Sequence, residues 1–222
     1  MNTMRTIRVT GRGRIAVRPD KTRISIVLKG RAREYAKALQ QSSEDTELLK
    51  DLLSTLGFER SDLKTLSFDV DESYETYHED NTYKRRFKGY TFEHDLKVEF
   101  FSDNQRRGKI LYALAHSPIH PEFSISYFVS DPDAAKNKLL GKAVEDARKK
   151  ALVLSTAAQV KLKDIQSIDY SWQQIEFEFS PMNRMMSSSI REEVLSEASY
   201  DLNIEPDDIE ASDTVTIIWE IE

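Results

Sequence analysis

Apolar and polar residues alternate with a period of two over Ile24, Ile26 and Leu28, and the run ends at Gly30. That is the pattern of a half-buried strand. Upstream, residues 7–17 hold two shorter alternating runs separated by Gly11 and Gly13, with Pro19-Asp20 following them. The spacing predicts strand, bend, strand, turn, strand. From Arg33 to Leu56 the apolar period lengthens to three and four, through Tyr35, Leu39, Ser42, Thr46, Leu49, Leu53 and Leu56, with Gly57 as terminator. This predicts an amphipathic helix lying on a sheet.

Strand character returns from Leu63 to Val70, and an acidic, tyrosine-bearing stretch over 69–80 leads to the basic run 83–90. The pair predicts a long hairpin with an exposed tip, whose return strand carries Leu96, Val98 and Phe100. A shorter helix is expected over Asn104–Ala115, stopped by Pro118 and Pro121. Phe123, Ile125, Tyr127 and Val129 then alternate as a strand. Ser130-Asp131-Pro132 is a strong helix start, because a side-chain oxygen accepts first-turn N–H groups and proline loses nothing at the first helical position. The helix it opens runs to Ala158, with Leu140, Ala143 or Val144, Ala147, Ala151, Leu154 and Ala158 facing inward. So many alanines imply close packing against a neighbour. Ile165–Phe179 reads as a strand and Val215–Ile221 as the last one. Between them, 180–213 reads as a long loop with a helical turn near 190–198.

The 222 residues suffice for a real core in one domain spanning 1–222, divisible into two subdomains. Apolar residues at 39% and charged residues at 32% indicate a folded protein with a heavily charged surface. The net charge of -6 repels polyanions, so nucleic acid is not an expected partner. Without cysteine there is no disulfide, thiolate nucleophile or Cys-ligated zinc. No run approaches the roughly 20 apolar residues of a membrane-spanning helix. Residues 1–10 lack the features of a secretory signal. The expected compartment is the cytoplasm, or the periplasm or cell envelope if a leader was removed.

Several motifs stand out together: Val9-Thr-Gly-Arg-Gly13, Val17-Arg-Pro-Asp20, Gly89-Tyr90-Thr91, Ser130-Asp-Pro132 and Lys142–Ala151. The methionine-bearing stretch Pro181–Met186, Ile204-Glu-Pro206 and Thr214-Val-Thr-Ile217 complete the set. In this order they resemble the SIMPL domain family, which includes bacterial periplasmic or outer-membrane immunogenic proteins and an animal protein linked to kinase signalling. The resemblance implies an α+β fold of antiparallel sheet packed with about three helices. It also implies ring-like or channel-like homo-oligomers in some members and no established enzymatic activity. Gln159 and Asp207 stand where similar sequences have glycine. A left-handed Gln159 at the helix end costs about 1 kcal/mol relative to glycine.

The candidate chemical sites read as structural. Gly11-Arg-Gly13 lacks the third glycine and the following helix of a phosphate loop. Asp201–Asp207 places oxygens at alternate positions like a calcium loop, but Pro206 and Ser212 occupy the places that need glycine and glutamate. His116 and His120 have the spacing of a helical metal pair, broken by Pro118. Tyr74, Tyr77, Tyr83, Phe87 and Tyr90, interleaved with Lys84, Arg85, Arg86 and Lys88, have the composition of a nucleic-acid surface. Asp69, Asp71, Glu72, Glu75, Glu79 and Asp80 would pair with those cations across the hairpin instead. No serine has the context of a nucleophile. Met182, Met185 and Met186 read as a flexible contact surface or a loop covering the sheet. No catalytic, cofactor-binding or metal residue is assigned, and no cofactor is expected. The expected function is a non-enzymatic protein acting by homo-oligomeric assembly through exposed edge strands and the hairpin. The alternative is a monomeric or dimeric interaction module in signalling or stress response, contacting a protein partner through residues 73–90.

Overall fold

Pro19 and Asp20 divide the N-terminal alternating run into β1 (Thr6–Val17) and β2 (Lys21–Ala32), and the two strands enter different sheets. The structure is a computed structural model that describes residues 5–79, 82–170, 177–179 and 205–222. Among them, three helices and two antiparallel sheets form the expected α+β fold. Two compact units result, one within residues 1–20, 128–179 and 206–222, the other within residues 21–127.

The unit within 21–127 stacks α1 (Tyr35–Thr55) and α2 (Asn104–Ala115) against a sheet. Its strands are β3 (Lys64–Glu79), β4 (Thr82–Phe101), β2 and β5 (Glu122–Phe128), in the order β3-β4-β2-β5. Ile24, Ile26 and Leu28 face Val98, Leu96 and His94 across the β2–β4 ladder, and the helices cover this face. Each such fully buried aliphatic side chain contributes about 1.5–3 kcal/mol. The α1 stripe is narrower than expected: Ala38, Ser42, Leu49 and Leu53 are buried, while Tyr35 and Leu39 are exposed. The strand β2 runs through Gly30 to Ala32. Asp103 caps α2 by accepting the Gln105 and Arg106 N–H groups at 2.9 and 3.0 Å.

The other unit lays α3 (Pro132–Ala157) on a sheet of order β1-β8-β6, where β6 is Leu162–Tyr170 and β8 is Ile209–Ile221. The residues of this unit also include a two-residue strand, β7 (Glu178–Phe179), which is not one of the three strands of that sheet. The start of α3 joins two motifs far apart in sequence. Asp20 accepts the Ser130 N–H at 2.7 Å and the Ser130 hydroxyl at 2.5 Å, and Asp131 accepts the Ala134 N–H at 2.9 Å. At the other end Gln159 has φ +56°, the left-handed conformation expected of it.

Three expectations are corrected here. The glycines of β1 make no bend: Gly11 pairs with Val215 and Gly13 with Asp213 in an unbroken register along β8. They are small because the α3 backbone lies on them. A Cβ on Gly11 would sit 2.1 Å from the Ala143 carbonyl oxygen and 2.3 Å from the Ala147 nitrogen, and one on Gly13 would sit 2.2 Å from the Leu139 oxygen. The inner stripe of α3 is therefore Leu139, Ala143, Ala147, Ala151 and Ser155, whereas Val144 and Leu154 are exposed. Finally, β8 begins at Ile209, so residues 209–213 of the expected loop are strand, with Ile209, Ala211 and Asp213 buried. Within the span 165–179 expected as one strand, β6 is Leu162–Tyr170 and β7 Glu178–Phe179; residues 171–176 lie outside the described residues, as do the loop segment 180–204 and its helical turn.

Close seating lets α3 close the outer edge of β1. Lys142 Nζ donates to the Arg14 carbonyl at 3.2 Å, the Arg12 N–H donates to the Asp146 carboxylate at 2.7 Å, and Lys150 Nζ donates to the Thr10 carbonyl at 3.2 Å. Helical residues at i, i+4 and i+8 thus meet alternate strand residues, much as a neighbouring strand would. Lys150, 2.7 Å away, and the Arg12 N–H hold the Asp146 carboxyl below its ordinary pKa. The β1 edge is occupied, so the expectation that exposed edge strands supply contacts does not extend to it.

Two glycines give a direct test. Gly11→Ala forces helix backbone away from β1 and is expected to lower unfolding stability by about 3 kcal/mol or more. Gly141→Ala, inside α3 itself and with nothing within 4 Å of the added carbon, is expected to raise stability by about 0.5–1 kcal/mol. Urea unfolding followed by far-UV circular dichroism checks both.

Candidate functional site

The β3–β4 ladder outruns the sheet. The last β2 pair is Ala32 with Tyr90, whereas β3 and β4 continue from Ser73–Gly89 to Glu79–Thr82 as a two-stranded arm. A register shift between Ser73 and Tyr74 marks the base of the arm. Gly89 there has φ +129°, and a Cβ would lie 2.3 Å from the Ala32 carbonyl oxygen. Only glycine fits that bulge.

The bulge brings Phe87 onto the same face as Tyr90, and a strip of aromatic rings follows. Tyr35 meets Tyr90 edge-to-face at 5.5 Å, Tyr90 meets Phe87 at 5.3 Å and Phe87 meets Tyr74 at 5.7 Å. The Arg85 guanidinium lies 4.6 Å over the Tyr74 ring. Such contacts fix the rings in place at about 0.5–1.5 kcal/mol each. Yet Tyr74 and Phe87 remain 44% and 45% exposed, and Tyr83 80%. The other face carries charge: Glu75 accepts from Arg86 at 2.9 Å and Lys88 at 2.8 Å, and Arg86 lies 5.4 Å over Tyr77. Lys88 first, and Arg86 with it, hold the Glu75 carboxyl below its ordinary pKa. The arm's cations thus meet carboxylates and rings of the arm itself, which leaves little of the free basic surface that phosphate pairing requires.

A second polar feature lies between α1 and the β3–β4 pair, in a cleft of about 360 Å³. His94 stands on its floor. The Thr46 hydroxyl donates to the Ser42 carbonyl at 2.7 Å, so toward His94 Nδ1, 3.2 Å away, it accepts. That assigns the ring proton to Nδ1 and leaves Nε2 to accept from the Thr65 hydroxyl at 3.0 Å. The neutral ring is fully bonded, with Ser42 Oγ 3.4 Å from Nδ1 and the Phe68 ring edge-on at 5.1 Å. Burial holds the His94 pKa below its ordinary value; Asp95 opposes and Lys50 reinforces the shift.

The remaining sequence candidates do not converge. His116 ends α2, stacked 4.1 Å from Tyr112, with Nδ1 2.8 Å from the Tyr112 carbonyl oxygen; His120 has φ +42° in the following turn. Ser212 accepts from the Arg12 guanidinium at 3.0 Å, and the Asp207 carboxylate accepts the Asp208 N–H at 2.9 Å. Asp201, Met182, Met185 and Met186 lie outside the described residues. Among the described residues no group of three or more histidines or carboxylates could hold a metal ion.

Two polar side chains, buried Arg107 and half-buried His94, escaped the sequence reading. Arg107 is 1% exposed and donates to the Tyr127 hydroxyl at 3.1 Å, while burial raises the Tyr127 pKa. The signals were present: Arg107 shares a helical stripe with Ile110 and Leu114, and His94 occupies the inward phase between Phe92 and Leu96.

The His94 environment sets a pH dependence. Its folded pKa lies below the unfolded value of 6.5, so the unfolded chain binds the proton more readily. Its contribution to stability is complete above pH 6.5 and is lost as pH falls toward the folded pKa. Wild type is therefore expected to lose more stability than His94→Gln between pH 7.5 and 5, measured by urea midpoints. A ring titration midpoint above 6.5 by NMR would contradict this.

No helix among the described residues is long and apolar enough to cross a membrane. No curated protein matches the chain. The sequence profile of the SIMPL family, described as a protein of unknown function (DUF541), matches residues 7–219 of the 222. That span takes in the glycines beneath α3, the bulge glycine of the arm and the Asp20–Ser130 junction, and the chain belongs to the SIMPL family.

Proposed function

We propose that this protein catalyses no reaction and acts as a homo-oligomeric SIMPL-domain assembly, with the β3–β4 arm as its main contact element. The observation that carries the reading is the aromatic strip Tyr90-Phe87-Tyr74, held edge-to-face on a projecting ribbon with Tyr74 and Phe87 nearly half exposed. Rings that are fixed before binding lose little entropy on docking, and Tyr, Phe and Arg are side chains enriched at protein contacts. The internal pairing of Glu75 with Arg86 and Lys88 favours a protein surface over a polyanion. At His94 the hydroxyls of Thr46 and Thr65 occupy both ring nitrogens, with no carboxylate bonded to orient a base.

Light scattering across a wide concentration range tests this. Wild type is expected to exceed the 25.6 kDa monomer mass. Tyr74→Ser with Phe87→Ser is expected to weaken self-association at least about tenfold, with thermal stability little changed. A wild-type monomer throughout the range would overturn the reading.

A further inference from the structure

We infer that the arginine face of β1 receives the acidic root of the arm from a second copy, through Arg12 and Arg14 meeting Asp69 and Asp71. This rests on the assembly reading above and names the two surfaces that join. Residues 5–18 hold five arginines and no carboxylate, in a chain of net charge -6. Alternation sets Arg8, Arg12 and Arg14 on the exposed face of β1, and across the ladder they meet Ile218, Thr214 and Ser212. Among the described residues none of the three forms an ion pair; the Arg12 guanidinium donates only to the Ser212 hydroxyl. Elsewhere in the same unit Lys149 and Lys150 meet Glu145 and Asp146. The β1 face thus concentrates positive charge that no ion pair engages among the described residues, with Glu210 lining the same groove as Arg12 and Arg14, and it is made of arginine, whose planar fork suits carboxylate bidentately.

The complementary feature lies on β3, the outer strand of its sheet. Asp69 and Asp71 are exposed and make no ion pair among the described residues, and Asp69 stands directly across from Glu93. Like charges in that position destabilise the pair unless a cation arrives. Lys29, 3.7 Å from Glu93, is shared with Glu122 at 2.9 Å. The more distal Glu75 is already taken by Arg86 and Lys88, which singles out the root of the arm. Residues two apart on a strand lie about 7 Å apart, so Arg12 and Arg14 match Asp69 and Asp71 in spacing as well as sign. Since the joined patches differ, every copy offers one of each, which suits either a two-fold dimer that makes the contact twice or a head-to-tail ring.

Charge reversal tests the pairing on the full chain by sedimentation velocity. Arg12→Glu/Arg14→Glu and Asp69→Arg/Asp71→Arg are each expected to weaken assembly at least about tenfold. Mixing the two variants is expected to restore it, because each then presents what the other lacks. Restoration also shows that both are folded. Reversal variants that keep the wild-type mass would overturn this pairing while leaving assembly intact, whereas a monomeric wild type would overturn assembly itself. Wild-type binding to phosphatidylserine vesicles or to a single-stranded oligonucleotide that Arg12→Glu/Arg14→Glu abolishes, with mass unchanged, would assign the face to that polyanion and overturn the inference.

Discussion

The α3 backbone rests on two glycines of β1 at distances that no side chain could occupy. This contact organises one unit of the molecule. It requires alanine at 143, 147 and 151, since a larger residue on that stripe would lift the helix from the strand. It also brings Lys142, Asp146 and Lys150 close enough to bond the strand's outward backbone groups. A three-stranded sheet has two edges, and an open edge invites another chain. Here one is closed by the helix that also supplies the core, so packing and edge protection come from a single geometric condition.

In the other unit, the same economy of a small residue serves the opposite end. Gly89 absorbs a bulge that lets β3 and β4 leave the sheet as an arm while aligning Phe87 with Tyr90. The arm then has two unlike faces, one aromatic and one charged. Its aromatic face is fixed by ring contacts and its distal charges are paired internally. Among the described residues, Asp69 and Asp71 at the root of the arm and Arg8, Arg12 and Arg14 on the exposed face of β1 make no ion pair. That asymmetry is the physical basis for reading the protein as a component that joins copies of itself.

Much of the fold was legible in the sequence because burial on one face imposes a period. The helix over Asn104–Ala115 has its expected bounds, and the hairpin was visible in its alternating charge and aromatic pattern. The glycines of β1 were misread as a bend, since sequence shows where a side chain is missing but not which neighbour needs the space. The phase of α3 drifted for the same reason: Leu154 is more apolar than Ser155, but the close approach to β1 selects the smaller residue. Of the candidate site, the pairing of Glu75 with Arg86 and Lys88 was readable from composition, but Asp69 and Asp71 do not share it, because the register sets them opposite Glu93 and Thr91. The aromatic strip was not, because a register shift decides which rings share a face. The His94 cluster was hidden for a further reason: its hydroxyl partners come from α1 and β3, up to 52 residues away.

In its unit, α3 serves β1 both as core and as edge partner. Native-state hydrogen exchange of the Arg12 amide tests it most directly, because that N–H points away from β8 toward the Asp146 carboxylate. Protection comparable to that of the β1–β8 ladder amides is expected in wild type, with selective loss at Arg12 in Asp146→Ala while the ladder stays protected. An Arg12 amide that exchanges in wild type as fast as an exposed one would contradict it.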